Sequence, residues 1–249
     1  MRIQSIQSAH NSIIKQAIAL KNKKARDIAG LYIAEGVRTC STLFRSPHTL
    51  IRCIMTEDMR ITVEQYTIPE IVVVPPELMK KISATETPSG LMGVFQKPQR
   101  PIAPLGPGLV LAQISDPGNM GTLIRTAAAL NATTVVIVEG CDPWSPKVVQ
   151  ASAGTIGMIS LYELSWQQLL HLRGSISLGA LVTNAGISIS DISSLHQQLL
   201  VVGNEAHGLP EEWESTCDIR ITLPMPGQVE SLNAAVAGSI ALYVAYLQK

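Results

Sequence analysis

Charge is scarce in this chain of 249 residues: Asp, Glu, Lys and Arg make up 15% of it, against 46% hydrophobic residues. Such a balance excludes a disordered or solvating polypeptide and indicates a globular chain with ample core. Aromatic residues are scarcer, at 4% with only 2 phenylalanines. Long apolar runs are missing too. The longest, Leu232 to Leu247, spans 16 residues and contains Asn233 and Ser239, short of the roughly 20 apolar residues that a membrane span needs. It reads as a buried helix, and no membrane association is expected. The opening "MRIQSIQSAHNSIIKQ" is too polar for a secretory signal. Cys40, Cys53, Cys141 and Cys217 show neither metal-binding spacing nor a short-spaced pair. Reduced thiols, a cytoplasmic setting and no metal follow as expectations.

What is present is unevenly distributed. The net charge is zero, yet residues 1–100 carry 14 Lys and Arg against 8 Asp and Glu, and residues 101–249 carry 5 against 11. A basic half, beginning with "KNKKARD" at 21–27, supplies local attraction for a polyanion. The sign changes at "KPQRPIAPLGPG" (97–108), where prolines at 98, 101, 104 and 107 favour an extended, semi-rigid path. The expected organisation is therefore a small α/β domain over 1–97, a linker over 98–107 and a second domain over 108–249. The first domain reads as a helix over 8–20 and a strand at 31–36. A helix follows near 37–45, with strands at 50–56, 71–74 and 90–96. Its aromatics are few (Tyr32, Phe44, Tyr66, Phe95), so shape and charge contacts outweigh ring stacking if it meets a polyanion.

In the second domain "GLVLAQI" (108–114) predicts a buried strand and "SDPGNMG" (115–121) a turn. "TLIRTAAAL" (122–130) then predicts a helix and "TTVVIVE" (133–139) the next strand. Such β–turn–α–β units build parallel sheets with ligands at the carboxyl ends of the strands. Further strands are expected at 178–183, 198–203 and 218–225, and a helix from near Pro146. Ser231 suits the N-cap of the last helix, with Leu232, Val236, Ile240, Val244 and Leu247 as its buried stripe.

A dinucleotide-binding reading is tempting, because Gly118 and Gly121 follow a strand and Glu139 ends the next one. The spacing G-x-x-G lacks the glycine that lets a pyrophosphate approach, and Arg125 stands where the third glycine belongs. Three other segments are more telling: "NMGTLIRTA" (119–127), "VVGNEAHGL" (201–209) and "LPMPGQVESLNAAVAGSI" (223–240). Each follows a buried strand, and each brings glycines that let main chain approach a ligand closely. Two such loops suit an uncharged heterocycle with a ribose, and no phosphate-cradling loop of Walker type is present.

In this order, N-x-G-x-x-x-R-T-A, G-x-E-x-x-G and P-M-x-G-x-x-x-S-L-N resemble the three motifs of the SpoU-type (TrmH-like) RNA 2′-O-ribose methyltransferases of the SPOUT class. "YIAEGVRTCSTLF" and "SATETPSGLMGVF" resemble the E-G and T-x-T-P stretches of that family's N-terminal substrate-binding domain, so the likeness covers nearly the whole chain. It implies a C-terminal trefoil-knotted parallel-sheet domain, which physical reading alone would not propose, knots being almost absent among folds. It also implies S-adenosylmethionine as cofactor, ribosomal or transfer RNA as substrate, and a homodimer whose active site draws on both subunits.

Carried over by position, the resemblance puts Asn119, Arg125, Glu205, Ser231 and Asn233 at the reaction centre, with Gly203, Leu223, Met225 and Leu232 around the cofactor. A guanidinium pKa above ~12 argues against Arg125 as a general base. Its implied role is to fix a phosphate and stabilise the developing alkoxide, while Glu205 orients Arg125 or Asn119, and Ser231 and Asn233 position the hydroxyl. His207 falls at a position the pattern leaves open. One departure stands out: the family often has arginine where this chain has Gln150. A non-catalytic RNA-binding protein retaining the fold is the rival reading, and the presence of all five reaction-centre residues argues against it.

Overall fold

A computed structural model describes residues 2–99 and 101–248. The chain divides into two compact units, one comprising residues 1–99 and 142–158, the other 100–141 and 159–249. The first unit begins with β1 (Arg2–Ser5), α1 (Ser12–Ala19), α2 (Lys23–Ala29), β2 (Leu31–Glu35) and α3 (Val37–Phe44). It continues through β3 (Leu50–Met55), α4 (Arg60–Val63), β4 (Glu70–Val73), α5 (Pro76–Ile82) and β5 (Leu91–Gln96). The chain then builds β6 (Gly108–Ala112), α6 (Pro117–Ala129) and β7 (Thr134–Val138) of the second unit. It returns to the first for α7 (Pro146–Ala151), and completes the second with β8 (Ser160–Glu163), α8 (Trp166–Leu172) and β9 (Leu178–Val182). The remaining elements are β10 (Ile187–Ser188), β11 (Leu199–Val202), α9 (Glu211–Glu214), β12 (Ile219–Thr222) and α10 (Ala234–Leu247).

The first unit holds a five-stranded sheet in the order β1-β4-β3-β5-β2. Its β1, β4 and β3 run parallel, whereas β5 pairs antiparallel with both β3 and β2. Ile14, Ala17 and Leu20 of the first helical segment pack with Ile33, Ile54, Val72, Leu78 and Met92 in one apolar cluster. A second set of contacts is aromatic: Tyr32 stacks on Phe95 and tilts against Trp144, which the 142–158 segment contributes. Buried Arg26 ties the same segment down, donating to Asp142 and to the carbonyls of Leu20 and Lys21.

The second unit is built on a seven-stranded, wholly parallel sheet in the order β10-β12-β9-β11-β6-β7-β8. Continuous burial of β6, β7 and β11 is what a parallel sheet requires, since crossover segments cover both of its faces. Trp166 and Trp213 stack with centroids 4.9 Å apart in one of its core clusters.

Three local expectations are corrected. The stretch 117–121 is the first part of α6, not a turn: Asp116 accepts from the Asn119 N–H as N-cap, and Pro117 occupies the first helical position. Asp-Pro is thus a helix-start signal, its proline giving up an N–H that has no helical partner anyway. The cap of α10 is Asn233, which accepts from the Ala235 and Val236 N–H groups, while Ser231 precedes the helix. The buried face of α10 is also different. It comprises Ala234, Ala235, Gly238, Ala241, Leu242 and Ala245, and Val236, Ile240 and Leu247 are exposed. Close packing explains the exchange. A Cβ on Gly238 would lie 2.6 Å from Leu123 Cδ2 and 2.8 Å from Val202 Cγ2, so only the small-residue face admits α6 and β11 at this distance. β1, β8, β10 and α8 have no counterpart in the sequence reading.

Candidate active site

The three glycine-bearing segments emerge from the carboxyl ends of β6, β11 and β12, three strands set close together in the sheet with β9 between β11 and β12. This parallel register brings positions 86 and 114 residues apart within reach. Asn119 Nδ2 donates to Glu205 Oε1 at 3.0 Å, and Asn233 Nδ2 donates to Asn119 Oδ1 at 3.1 Å. Glu205 is also held by the backbone where β6 gives way to α6. Its Oε2 accepts from Ser115 N at 3.3 Å and Ser115 Oγ at 3.0 Å, and its Oε1 from Asp116 N at 3.2 Å. The result is a continuous chain, Glu205–Asn119–Asn233, that fixes both amide orientations: an ionised carboxylate only accepts, so Asn119 must turn its NH₂ toward Glu205 and its oxygen toward Asn233.

Partial burial works against ionisation of Glu205, but hydrogen bonds from Asn119 and from the N–H groups of Glu205, Asp116 and Ser115 outweigh it, and the carboxyl lies below its usual range. It is therefore a fixed anion at neutral pH, suited to orienting neighbours and unsuited to taking up a proton.

Beside this chain is a cleft of ≈ 330 Å³. Gly203, Leu223, Met225, Ser231, Leu232 and Glu205 all line it, so the four residues expected around a cofactor share one cavity with two of those expected at the reaction centre. Gly203 is required sterically: a Cβ there would meet the Gly208 carbonyl carbon at 2.5 Å and the Leu209 nitrogen at 2.7 Å. The loop it opens is closed by paired hydrogen bonds between Asn204 and Gly208. Among the described residues, Glu205 and His207 are the only ionisable ones lining the cleft, and neither Lys nor Arg is among them. Such walls fit a nucleoside bearing a positive sulfonium and do not match a pyrophosphate. Glu139, the ribose-binding acid of the dinucleotide reading, instead accepts from Gln113 Nε2 at 3.1 Å.

Arg125 and Ser231 stand apart from the network. Arg125 is exposed on α6, and among the described residues it has neither an acidic nor a hydrogen-bonding partner. Ser231 is exposed at the cleft wall. Gln150, the departure from the family pattern, lies on α7 of the first unit, where its Nε2 would be 3.7 Å from a Cβ on Gly36. Sequence reasoning missed Ser115, Asp116 and Asn204. Asn204 donates to the Gln113 carbonyl at 2.8 Å and accepts from the Ala206 and His207 N–H groups. The signal for Asp116 was present in its Asp-Pro pair; nothing local marked Ser115. Among the described residues no three His, Cys, Asp or Glu side chains converge as metal ligands, and no helix is long and apolar enough to cross a membrane.

Comparison with known proteins agrees with this geometry. Residues 107–243 match the model of the SpoU rRNA Methylase family, and residues 11–93 match that of an MRM3-like substrate binding domain. An uncharacterized tRNA/rRNA methyltransferase of Synechocystis is 30% identical over 99% of this chain and 95% of its own. The 23S rRNA (guanosine(2553)-2′-O)-methyltransferase RlmP of Bacillus subtilis is 28% identical over 97% and 98%. An AdoMet-bound rRNA methyltransferase from Sinorhizobium meliloti superposes with a TM-score of 0.85 at 25% identity, over 98% of this chain and 97% of its own. With a match spanning more than half of the chain, the chain belongs to the SpoU rRNA methylase family.

Proposed function

We propose that this protein methylates a ribose 2′-hydroxyl in structured ribosomal or transfer RNA, with S-adenosylmethionine as the methyl donor. The observation that carries the reading is the Glu205–Asn119–Asn233 chain standing beside a cleft that no lysine or arginine among the described residues lines. The bound cofactor supplies an activated methyl on a sulfonium, already a good leaving group. The protein's task is to align the oxygen and ease departure of its proton. Gly203, Leu223, Met225 and Leu232 wall the cofactor. Asn119, locked by Glu205, and Asn233 present fixed polar groups to the acceptor, and Ser231 positions the hydroxyl from the cleft wall. A second cleft of ≈ 650 Å³ shares Thr183, Leu223, Met225 and Ser231 with the first and offers room for the acceptor nucleotide. Arg125 holds the neighbouring phosphate and stabilises developing alkoxide charge.

The domain assignment belongs to the same proposal: substrate choice by residues 1–97, a linker over 98–107 and methyl transfer by 108–249. So does the knot. Gln248 accepts from Leu195 N at 3.0 Å and donates to the Ile192 carbonyl at 2.6 Å, which supports a tail held against the 192–195 segment. A homodimer is supported by α10, whose Val236, Ile240, Tyr243 and Leu247 recur at helical spacing and are 46%, 42%, 52% and 64% exposed. An apolar stripe of this kind calls for a cover, and the unpaired Arg125 suits a site completed by the second copy. Ile240→Asp is expected to shift the sedimentation coefficient from dimer to monomer; an unchanged coefficient would remove this face from the interface. The cytoplasm, where RNA and free thiols coexist, is the proposed compartment.

Methyl transfer to bulk RNA tests the activity directly. Arg125→Ala is expected to lower turnover by ~10³-fold while cofactor affinity in a calorimetric titration stays within about twofold. A cofactor affinity that falls with the turnover would overturn the role given to Arg125.

A further inference from the structure

The first unit contains a second organised carboxylate that the methyl-transfer chemistry does not use. Glu35 ends β2, is 7% exposed, and among the described residues faces no lysine or arginine within ion-pair distance. Among the described residues its carboxyl oxygens are met by the segment 83–85 alone: Ser83 Oγ and Thr85 Oγ1 donate to Oε1, the latter at 3.0 Å, and Ala84 N donates to Oε2 at 3.0 Å. Burying an unpaired carboxylate is costly, and an apolar residue would close the same sheet end at lower cost. What the carboxylate gives in return is a single shape for the loop that follows.

That loop, residues 84–89, is exposed apart from the half-buried Pro88. Among the described residues the amide N–H groups of Glu86, Thr87 and Ser89 find no intramolecular acceptor. Two other elements converge on it. A Cβ on Gly36 would lie 3.9 Å from Ser89 Oγ and 3.7 Å from Gln150 Nε2, so the start of α3, the loop and the α7 amide share one patch. Its flanks are basic. Arg38 on α3 and Lys80 and Lys81 at the end of α5 are exposed and have no acidic partner among the described residues, and Lys21 Nζ donates to the Lys81 and Ser83 carbonyls. Glu86 is the one acid on the loop. The aromatics Tyr32, Phe95 and Trp144 are buried in the unit's own core.

Hydroxyls, free amide N–H groups and an amide side chain between cations, without a stacking ring, match a sugar–phosphate backbone and not splayed bases. We infer that the 84–89 loop, with Arg38, Lys80, Lys81 and Gln150, grips the RNA backbone, and that Glu35 is the positioning residue that holds the loop in its binding shape. The inference rests on the RNA-methylating function proposed above and names the surface through which the first unit serves it.

Bulk RNA binding measured against salt, together with methyl-transfer kinetics and cofactor calorimetry, tests it on the full chain. Arg38→Ala and Lys81→Ala should each reduce the slope of log affinity against log salt by about one, with cofactor affinity unchanged. Glu35→Gln should weaken RNA binding by about tenfold and raise KM for RNA more than it lowers kcat. Thr85→Val, which removes one donor to Glu35, should do the same to a lesser degree, and it decides the matter if Glu35→Gln fails to fold. Unaltered salt slopes and KM values in variants that still fold would overturn the inference while leaving the methyltransferase reading intact. A wild-type protein that neither binds RNA nor methylates it would overturn both.

Discussion

Two carboxylates organise this molecule, one in each unit, and they do so under opposite conditions of solvation. Glu35 is buried and gathers two hydroxyls and an amide from a segment 48 to 50 residues away. Glu205 is exposed and gathers two backbone amides, a hydroxyl and the Asn119 side chain from a segment 86 to 90 residues away. The same device therefore serves two purposes. Where water is excluded, each lost hydrogen bond is felt as stability. Where water can replace the lost partner, the fold tolerates the loss and only the orientation of the site suffers.

The comparison is broken most directly by removing each carboxylate in turn. Glu35→Ala leaves the donors of Ser83, Ala84 and Thr85 beside a vacated buried site, and is expected to destabilise the protein by about 2–3 kcal/mol. Urea denaturation followed by fluorescence checks this. A loss under about 0.5 kcal/mol would show that water already reaches the Glu35 site, and the contrast with Glu205 would vanish.

Much of the second unit was legible in its sequence because its signals are local. Strands such as Leu109–Leu111 are uniformly apolar, and the glycines, prolines and capping residues that end them act within a few positions. Pairings such as Glu35 with Thr85 were invisible for the opposite reason: nothing within ten residues of either reports the other. The last helix failed in an instructive way. Spacing picked out Val236, Ile240 and Leu247 as core, since a periodic stripe of large apolar residues normally faces inward. Gly238 and Ala241 took that place because the approach to Leu123 and Val202 leaves no room for larger side chains. Periodicity identifies a face but not which of two apolar faces a neighbour will choose. The cap at Asn233 instead of Ser231 is the same lesson on a smaller scale, two competent residues standing two positions apart.

Acid sharpens the contrast between the units. Burial lowers the His48 imidazole from 6.5 to about 4, and its Nδ1 lies 2.7 Å from the Tyr32 hydroxyl. The unfolded chain takes up this proton near pH 6.5 and the folded chain refuses it until about pH 4. The stability it contributes is thus complete above pH 6.5 and is lost as pH falls toward 4. After allowance for its partial exposure the loss is about 1–2 kcal/mol. Chemical denaturation at a series of pH values should show this slope in the wild type and a flatter one in His48→Gln; identical slopes would mean that His48 is protonated in the folded state.

The smallest effect on stability belongs to Glu205, and it makes the sharpest demand on the comparison. Its folded pKa is lowered from 4.5, so its contribution is complete above pH 4.5 and disappears only as pH falls through the lower folded value. Between pH 4.5 and 6.5, where His48 is already costing the first unit stability, the Glu205–Asn119–Asn233 chain should remain intact. Glu205→Ala is accordingly expected to change unfolding stability at neutral pH by less than about 1 kcal/mol, because water replaces an exposed acceptor. Turnover is expected to fall by ~10²-fold, because Asn119 loses the partner that fixes its amide. Glu205→Gln separates charge from geometry. With its oxygen in the Oε1 place it still accepts from Asp116 N and Asn119 Nδ2, and its NH₂ can donate to Ser115 Oγ, so the variant should lose the charge and keep the amide orientation. If Glu205→Ala retained full turnover in a methyl-transfer assay, orientation of Asn119 would not be what Glu205 supplies, and the exposed carboxylate would be a loop fastener of the same kind as its buried counterpart.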